Sequence, residues 1–343
     1  MIHRILRVPL FLVAVFVLPH VSPAPLIYKL GEGWSYEPVG GGGGWKRTRA
    51  KDQLEVAEKA FAAKDFDLAL KAALETVKKW PLSDYAPKAQ FLAGRSFEEL
   101  KQDEDAFNAY QTLLEKYPKV ENYEEVLKRQ FEISNRYLGG QRFKLWGVVP
   151  LFPSMEKTSK MYEKVIANGP YSGVAPLAQM NIGTAQEKRG EFTDAVRAYE
   201  KTADKYHDQK GVAADALFRA GMTHLKQARS AEYDQGIAAK AIAAFTDFIA
   251  LYPEDKRVAE ARKNIDSLRG EQARGAMEVA RFYERRQMWS GALVYYNEVI
   301  IKDPDSSLAA EAKRRIEFLR THSGVTAAAP STNATPVEAT KPK

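Results

Sequence analysis

The sequence predicts an all-α protein, an α-solenoid of about six helix-turn-helix repeats with a C-terminal capping helix. Three observations carry this. A phrase ending in proline returns about six times along the 343 residues. Small and aromatic residues stand at fixed distances before that proline. No stretch alternates apolar and polar residues as a half-buried strand would.

Residues 105–118, DAFNAYQTLLEKYP, contain Ala106, Tyr110 and Pro118, an alanine followed at +4 by an aromatic and at +12 by proline. The offsets recur in Ala69, Ala73 and Pro81, in Ala241, Phe245 and Pro253, and in Ala292, Tyr296 and Pro304. Two copies are weaker: Thr158 replaces the alanine before Tyr162 and Pro170, and His207 replaces the proline after Ala195 and Tyr199. Proline is about 5% of residues, so five in six aligned slots arise by chance on the order of once in several hundred thousand trials. Alanine and an aromatic four apart share a helix face, where the small residue admits a neighbouring helix and the ring fills the space beside it. Proline then stops the helix, since it has no N–H to donate and drives the preceding residue out of the α region. Twelve residues before the alanine, Ala57, Gly94, Gly183 and Ala280 lie in upstream amphipathic stretches. Small residues at positions 8 and 20, an aromatic at 24 and proline at 32 of a unit of about 34 residues resemble the tetratricopeptide repeat.

The elements follow in order. Residues 1–24 hold Arg4 and Arg7, an apolar run from Val8 to Leu18, and small residues Ser22 and Ala24. The run is short of the ~20 residues that cross a bilayer as a helix, so it reads as a secretory signal. Pro25, directly after the cut, disfavours cleavage, and an uncleaved tether stays open. Residues 25–50 form a Gly-rich leader expected to be irregular. Its Gly40–Gly44 run lacks the Lys-Ser/Thr of a phosphate loop, and its basic group Lys46, Arg47, Arg49 and Lys51 reads as a solvated first helical turn or a contact to anionic headgroups. Repeats fill 51–320. An insertion at 139–155 interrupts the third; its apolar residues, Phe143 and Phe152 among them, either pack on the solenoid or meet a partner. Gly221 lies eight residues out of frame with Phe245, which places extra residues around 228–236. The proline-free stretch 257–286 reads as one long helix, 305–320 as the cap, and 321–343, rich in Ala, Pro and Thr, as a disordered tail.

The absence of cysteine excludes disulfides, thiolate chemistry, cysteine zinc sites and a lipid-bearing lipobox cysteine. A formal charge of +7, lowered by two if 1–24 are removed, is too mild to indicate a nucleic-acid partner. The five histidines have no metal-ligand spacing, paired carboxylates such as Glu98 and Glu99 read as solvated surface, and no nucleophile elbow, Walker loop or dinucleotide fingerprint occurs. No enzyme activity, cofactor or small-molecule substrate is expected.

A binding surface remains. In this repeat the first helices line the inner face with positions 2, 5, 9 and 12. The candidates are Leu54, Glu58 and Phe61 after Lys51 in the first unit, and Lys88, Phe91, Arg95 and Glu98 in the second. Such a mixture suits an extended peptide with aromatic side chains and a charged end; Phe61 and Phe91 packing between helices is the equal alternative.

Six units, export, an interruption in the third, a long penultimate helix and junctions such as WPLSDYAPKAQFLAG are similar to the BamD-like family of outer-membrane β-barrel assembly factors. The resemblance covers about residues 51–320. It implies a non-catalytic scaffold in the periplasm, at the inner face of the outer membrane. Its implied partners are the barrel-inserting subunit and other assembly proteins, bound through the C-terminal repeats, and unfolded outer-membrane proteins, met by the N-terminal groove. This chain lacks the acylated cysteine, which leaves peripheral membrane association to a protein partner or the N-terminus. The alternative is another periplasmic repeat adaptor, coordinating envelope constriction or peptidoglycan-linked complexes.

Overall fold

The computed structural model describes residues 26–29, 33–36, 44–145, 149–150, 152–230 and 235–323. The predicted signal, most of the glycine run and the tail from 324 lie outside the described residues. The protein is all-α, and its chain divides into two compact units at Val120/Glu121, each a stack of helix pairs in the manner of an α-solenoid.

The first unit holds α1 (Ala50–Ala62), α2 (Phe66–Lys79), α3 (Ala86–Glu99) and α4 (Asp103–Lys116). The leader is not wholly irregular: β1 (Leu26–Lys29) and β2 (Gly33–Tyr36) pair antiparallel with Leu26 opposite Tyr36. Their sequences, LIYK and GWSY, are rich in the β-branched and aromatic residues that suit strands.

The second unit holds α5 (Tyr123–Leu138), β3 (Lys144–Leu145), β4 (Val149–Pro150), α6 (Met155–Asn168), α7 (Ala175–Arg189), α8 (Phe192–Lys205), α9 (Lys210–Ser230), α10 (Gln235–Leu251), α11 (Val258–Arg285), α12 (Trp289–Lys302) and α13 (Ser307–Ser323). The insertion contains the two-residue ladder β3–β4. The extra residues of the fifth repeat lengthen both of its helices, to 21 and 17 residues, and their junction at 231–234 lies outside the described residues.

Local rules set the helix ends. Asp65 and Ser154 accept hydrogen bonds from Leu68 N and Lys157 N as N-caps of α2 and α6. Trp80, Tyr117, Gly169 and Asp303 are C-caps, each directly before a proline of the repeat phrase. The turn within a repeat has its own signature. Lys64, Lys101, Gly190 and Gln287 all have positive φ, 62°, 59°, 80° and 57°, and all occupy position 15.

The core is the repeat frame made solid. Ala57, Ala69 and Ala73 are fully buried in the first repeat, as are Ala106 and Tyr110 in the second and Ala195 and Tyr199 in the fourth. A Cβ on Gly183 would fall 2.5 Å from the Tyr199 ring, one on Gly221 2.7 Å from Phe245, and one on Gly94 would likewise collide with Tyr110. Position 8 therefore presses against the aromatic at 24 in three repeats. Two clusters share α11: Ala261, Ile265 and Leu268 pack with α9 and α10, while Ala273, Ala276, Met277 and Ala280 pack with α12 and α13. One 28-residue helix thus serves two successive repeats.

Candidate functional site

In the first unit, α1 and α3 lie side by side and bring several of the predicted residues together. The Arg95 guanidinium stacks over the Phe61 ring at 5.2 Å, Phe61 meets Phe66 edge-on at 5.3 Å, and Phe91 packs against Tyr110 at 5.9 Å. Phe61, Phe91 and Arg95 are half-buried, and Glu58 and Lys88 are exposed. Stacking on Phe61 orients the Arg95 fork and leaves its N–H donors without an acceptor among the described residues. Lys88 stands two helical turns before it, on the same face.

Two predicted members are placed elsewhere. Leu54 is 4% exposed and belongs to the core rather than to an open groove. Glu98 accepts the Tyr110 hydroxyl at 2.6 Å, so its carboxylate satisfies a buried phenol. The arrangement repeats: Tyr199 donates to Glu187 at 2.7 Å, and Tyr296 to Glu284. Where position 24 is Phe245, which has no hydroxyl, position 12 is Leu225 in the same apolar cluster. Position 12 therefore follows the chemistry of position 24, a pairing visible in the sequence at a separation of twelve residues. Burial pushes the Tyr199 and Tyr162 phenols well above their usual range, so both remain protonated donors.

The first helices of the second unit carry a polar row that the sequence reading did not single out. Tyr162 donates to Asn135 Oδ1 at 2.6 Å, and Asn181 Nδ2 donates to the same oxygen at 2.9 Å. Asp215 accepts from Arg219 at 2.9 Å and from Arg257 at 2.6 Å. Arg257 also grips Asp255 through Nε at 2.9 Å and Nη2 at 2.8 Å and lies over the Phe218 and Phe248 rings. Hydrogen bonds from Arg257 hold the Asp255 carboxyl down at about 2. The signal for this row was the repeat frame carried into α7 and α9, but Asp215 and Arg257 lie 42 residues apart, and no local rule pairs them.

The described part of the insertion is divided between interior and solvent. Phe143 is buried and stacks on Tyr137 at 4.2 Å, and Lys157 Nζ lies over the same ring at 4.9 Å. Phe152 is 87% exposed. Of the basic leader group, Arg49 pairs with Asp52 at 2.9 Å in the first turn of α1. Among the described residues, no helix is long and apolar enough to cross a membrane, and no group of three or more His, Asp or Glu could hold a metal.

Comparison with known proteins places this architecture. A tetratricopeptide repeat model matches residues 88–119, which span α3 and α4. The chain is 24% identical over 175 residues to the outer membrane protein assembly factor BamD of Xylella fastidiosa (strain 9a5c), a match covering 48% of this chain and 59% of that protein. Similar solved structures include the MamA protein, at 15% identity, TM-score 0.35, and coverage of 60% of this chain and 92% of MamA. Another is a thermophilic tetratricopeptide protein of Thermus thermophilus, at 14% identity, TM-score 0.31, and coverage of 63% and 99%. The model of the YfiO family, described as outer membrane lipoprotein, matches residues 153–333. That match takes in more than half of the chain and every repeat helix from α6 to α13, and the chain belongs to the YfiO family.

Proposed function

We propose that this chain is an exported, non-catalytic scaffold at the periplasmic face of the outer membrane. It works as a BamD-like component of β-barrel assembly that holds partner subunits and receives extended segments of unfolded barrel proteins. Membership of the outer membrane lipoprotein family supports the setting, and the helix-pair architecture supports a role in protein–protein interaction.

The observation that carries the peptide reading is the α1/α3 face. Phe61 and Phe91 offer ring surface, while Lys88 and the stacked Arg95 offer cationic donors with no carboxylate of their own. An extended peptide with aromatic side chains and a carboxylate matches both features. Glu58, exposed on α1, favours a basic residue elsewhere along it. Attachment to the membrane runs through a protein partner or the N-terminus, because the sequence has no cysteine to acylate.

Two measurements test the reading. Tagged protein isolated from envelopes should bring down the barrel-inserting subunit; recovery of envelope-constriction proteins in its place would move the assignment to the alternative adaptor role. A fluorescent peptide ending in an aromatic residue with a free carboxylate should bind the full chain, with Arg95→Glu weakening it roughly tenfold or more. Equal affinity for the two proteins removes the α1/α3 face from the function.

A further inference from the structure

The outward positions of the second helix in each repeat provide an internal comparison. At positions 18, 22, 25 and 29, α8 carries Thr193, Arg197, Glu200 and Asp204, and α2, α4 and α6 also carry at least two charged residues there, whereas α12 carries Ser290, Val294, Asn297 and Ile301, uncharged but with two bulky side chains. In α10 the same positions are Ala239, Ala243, Thr246 and Ala250, all exposed. A stripe of small uncharged residues on an otherwise apolar helix face is ordinarily covered by a neighbour, yet this face of α10 is bare. A cleft of about 410 Å³ runs along its α8 flank, past Lys240, Ala243 and Asp247. Another of about 340 Å³ runs along its α11 flank, past Thr246 and Ala250.

We infer that this face binds the same face of a second copy of the chain, with the two α10 helices antiparallel about a two-fold axis. The spacing 239, 243, 246, 250 alternates four and three, the repeat of a coiled-coil seam. Across a two-fold the layers are Ala239 with Ala250 of the partner subunit and Ala243 with Thr246 of the partner subunit. Small residues in every layer let the backbones approach closely. The argument for a second copy over any other helix is charge. Lys240 and Asp247, exposed and one heptad apart on the same edge of the seam, have no ion-pair partner among the described residues. In an antiparallel pair, equivalent edges meet in opposite order, so Lys240 faces the partner's Asp247 and Asp247 faces the partner's Lys240. The interface is therefore self-complementary, as a two-fold contact must be. The clefts beside α10 would receive the flanks of the partner helix.

Sedimentation velocity of the full chain from low to high micromolar concentration tests this. A concentration-dependent dimer is expected. Ala243→Lys should abolish it without lowering the melting temperature at concentrations where the wild type is monomeric, because the fold already accepts Lys71, Lys160 and Arg197 on the outward faces of other second helices. Lys240→Asp and Asp247→Lys should each weaken it roughly tenfold by setting like charges face to face, and the double reversal K240D/D247K should restore it. A wild-type chain that stays monomeric overturns the inference. So does a dimer that persists in Ala243→Lys, one that only Val294→Lys on α12 breaks, or a double variant as weak as the single ones.

Discussion

The left-handed residue at position 15 is the smallest unit of design that the repeats share. Gly190 adopts φ 80° without penalty, whereas Lys64, Lys101 and Gln287 adopt nearly the same conformation with a Cβ in the way. Left-handed backbone costs an L-residue about 1–2 kcal/mol, part of which glycine returns as unfolded-state entropy. Lys101→Gly should therefore raise stability by up to about 1 kcal/mol, measured by urea titration; a lower midpoint would show that the lysine side chain contributes more than its backbone costs. His224 supplies a second test at this scale. Its Nδ1 is buried without a partner, and burial, aided by the positive charge of Lys240, lowers its pKa from the ordinary 6.5. The unfolded chain therefore takes up this proton at a higher pH than the folded one. The contribution of His224 is complete above pH 6.5 and declines as pH falls below it. Thermal melts from pH 8 to pH 5 should show wild type losing stability faster than His224→Gln, and parallel curves would dismiss the effect.

For the helices, the same substitution is expected to change sign with its neighbours. Gly183 in α7 is pressed against Tyr199, so Gly183→Ala drives the ring off its position at a cost of about 1–3 kcal/mol. Gly275 in α11 has nothing within 4 Å of where a Cβ would stand, so Gly275→Ala gains helix propensity, about 1 kcal/mol. Chemical denaturation of the two variants should move in opposite directions. The repeat frame explains both. Gly183 stands at position 8, where the aromatic of the next helix is closest, and Gly275 lies in the part of α11 that precedes that position. In the sixth repeat Ala280 occupies position 8 against Tyr296, both buried, so helices can accommodate one methyl there when built around it.

Across the molecule, each unit is held by contacts between helices that are close in sequence. Each helix packs chiefly on its neighbours in sequence, and more weakly on the next but one, as with α1 on α3, α7 on α9 and α11 on α13. Stability in such a stack is a sum of neighbour terms. Hydrogen exchange should therefore respond locally: Gly183→Ala should speed amide exchange in α7 and α8 well before α12 and α13. Uniform acceleration along the second unit would instead indicate a single cooperative block. α11 is the exception built into the chain, since its two halves belong to different clusters, and exchange along it should report both.

By itself the sequence determined the helices, their order and their ends. Those features follow from interactions spanning a few residues: an alanine and a ring on one helix face, a proline after the last turn, an aspartate or serine before the first. It also contained the eight-residue shift between Gly221 and Phe245, which surfaced as two lengthened helices. Tertiary structure alone decided which face residues remain available. Leu54 and Phe61 occupy equivalent groove positions in the frame, yet one is core and the other cradles Arg95. Glu98 reads as free surface until Tyr110 reaches it, and Phe143 and Phe152, close together in one insertion, part between interior and solvent. The bare face of α10 was equally hidden, because its alanines look like any buried stripe. Such outcomes depend on distances between atoms tens of residues apart along the chain. Periodicity places a side chain on a face of its helix, and only packing determines what that face meets.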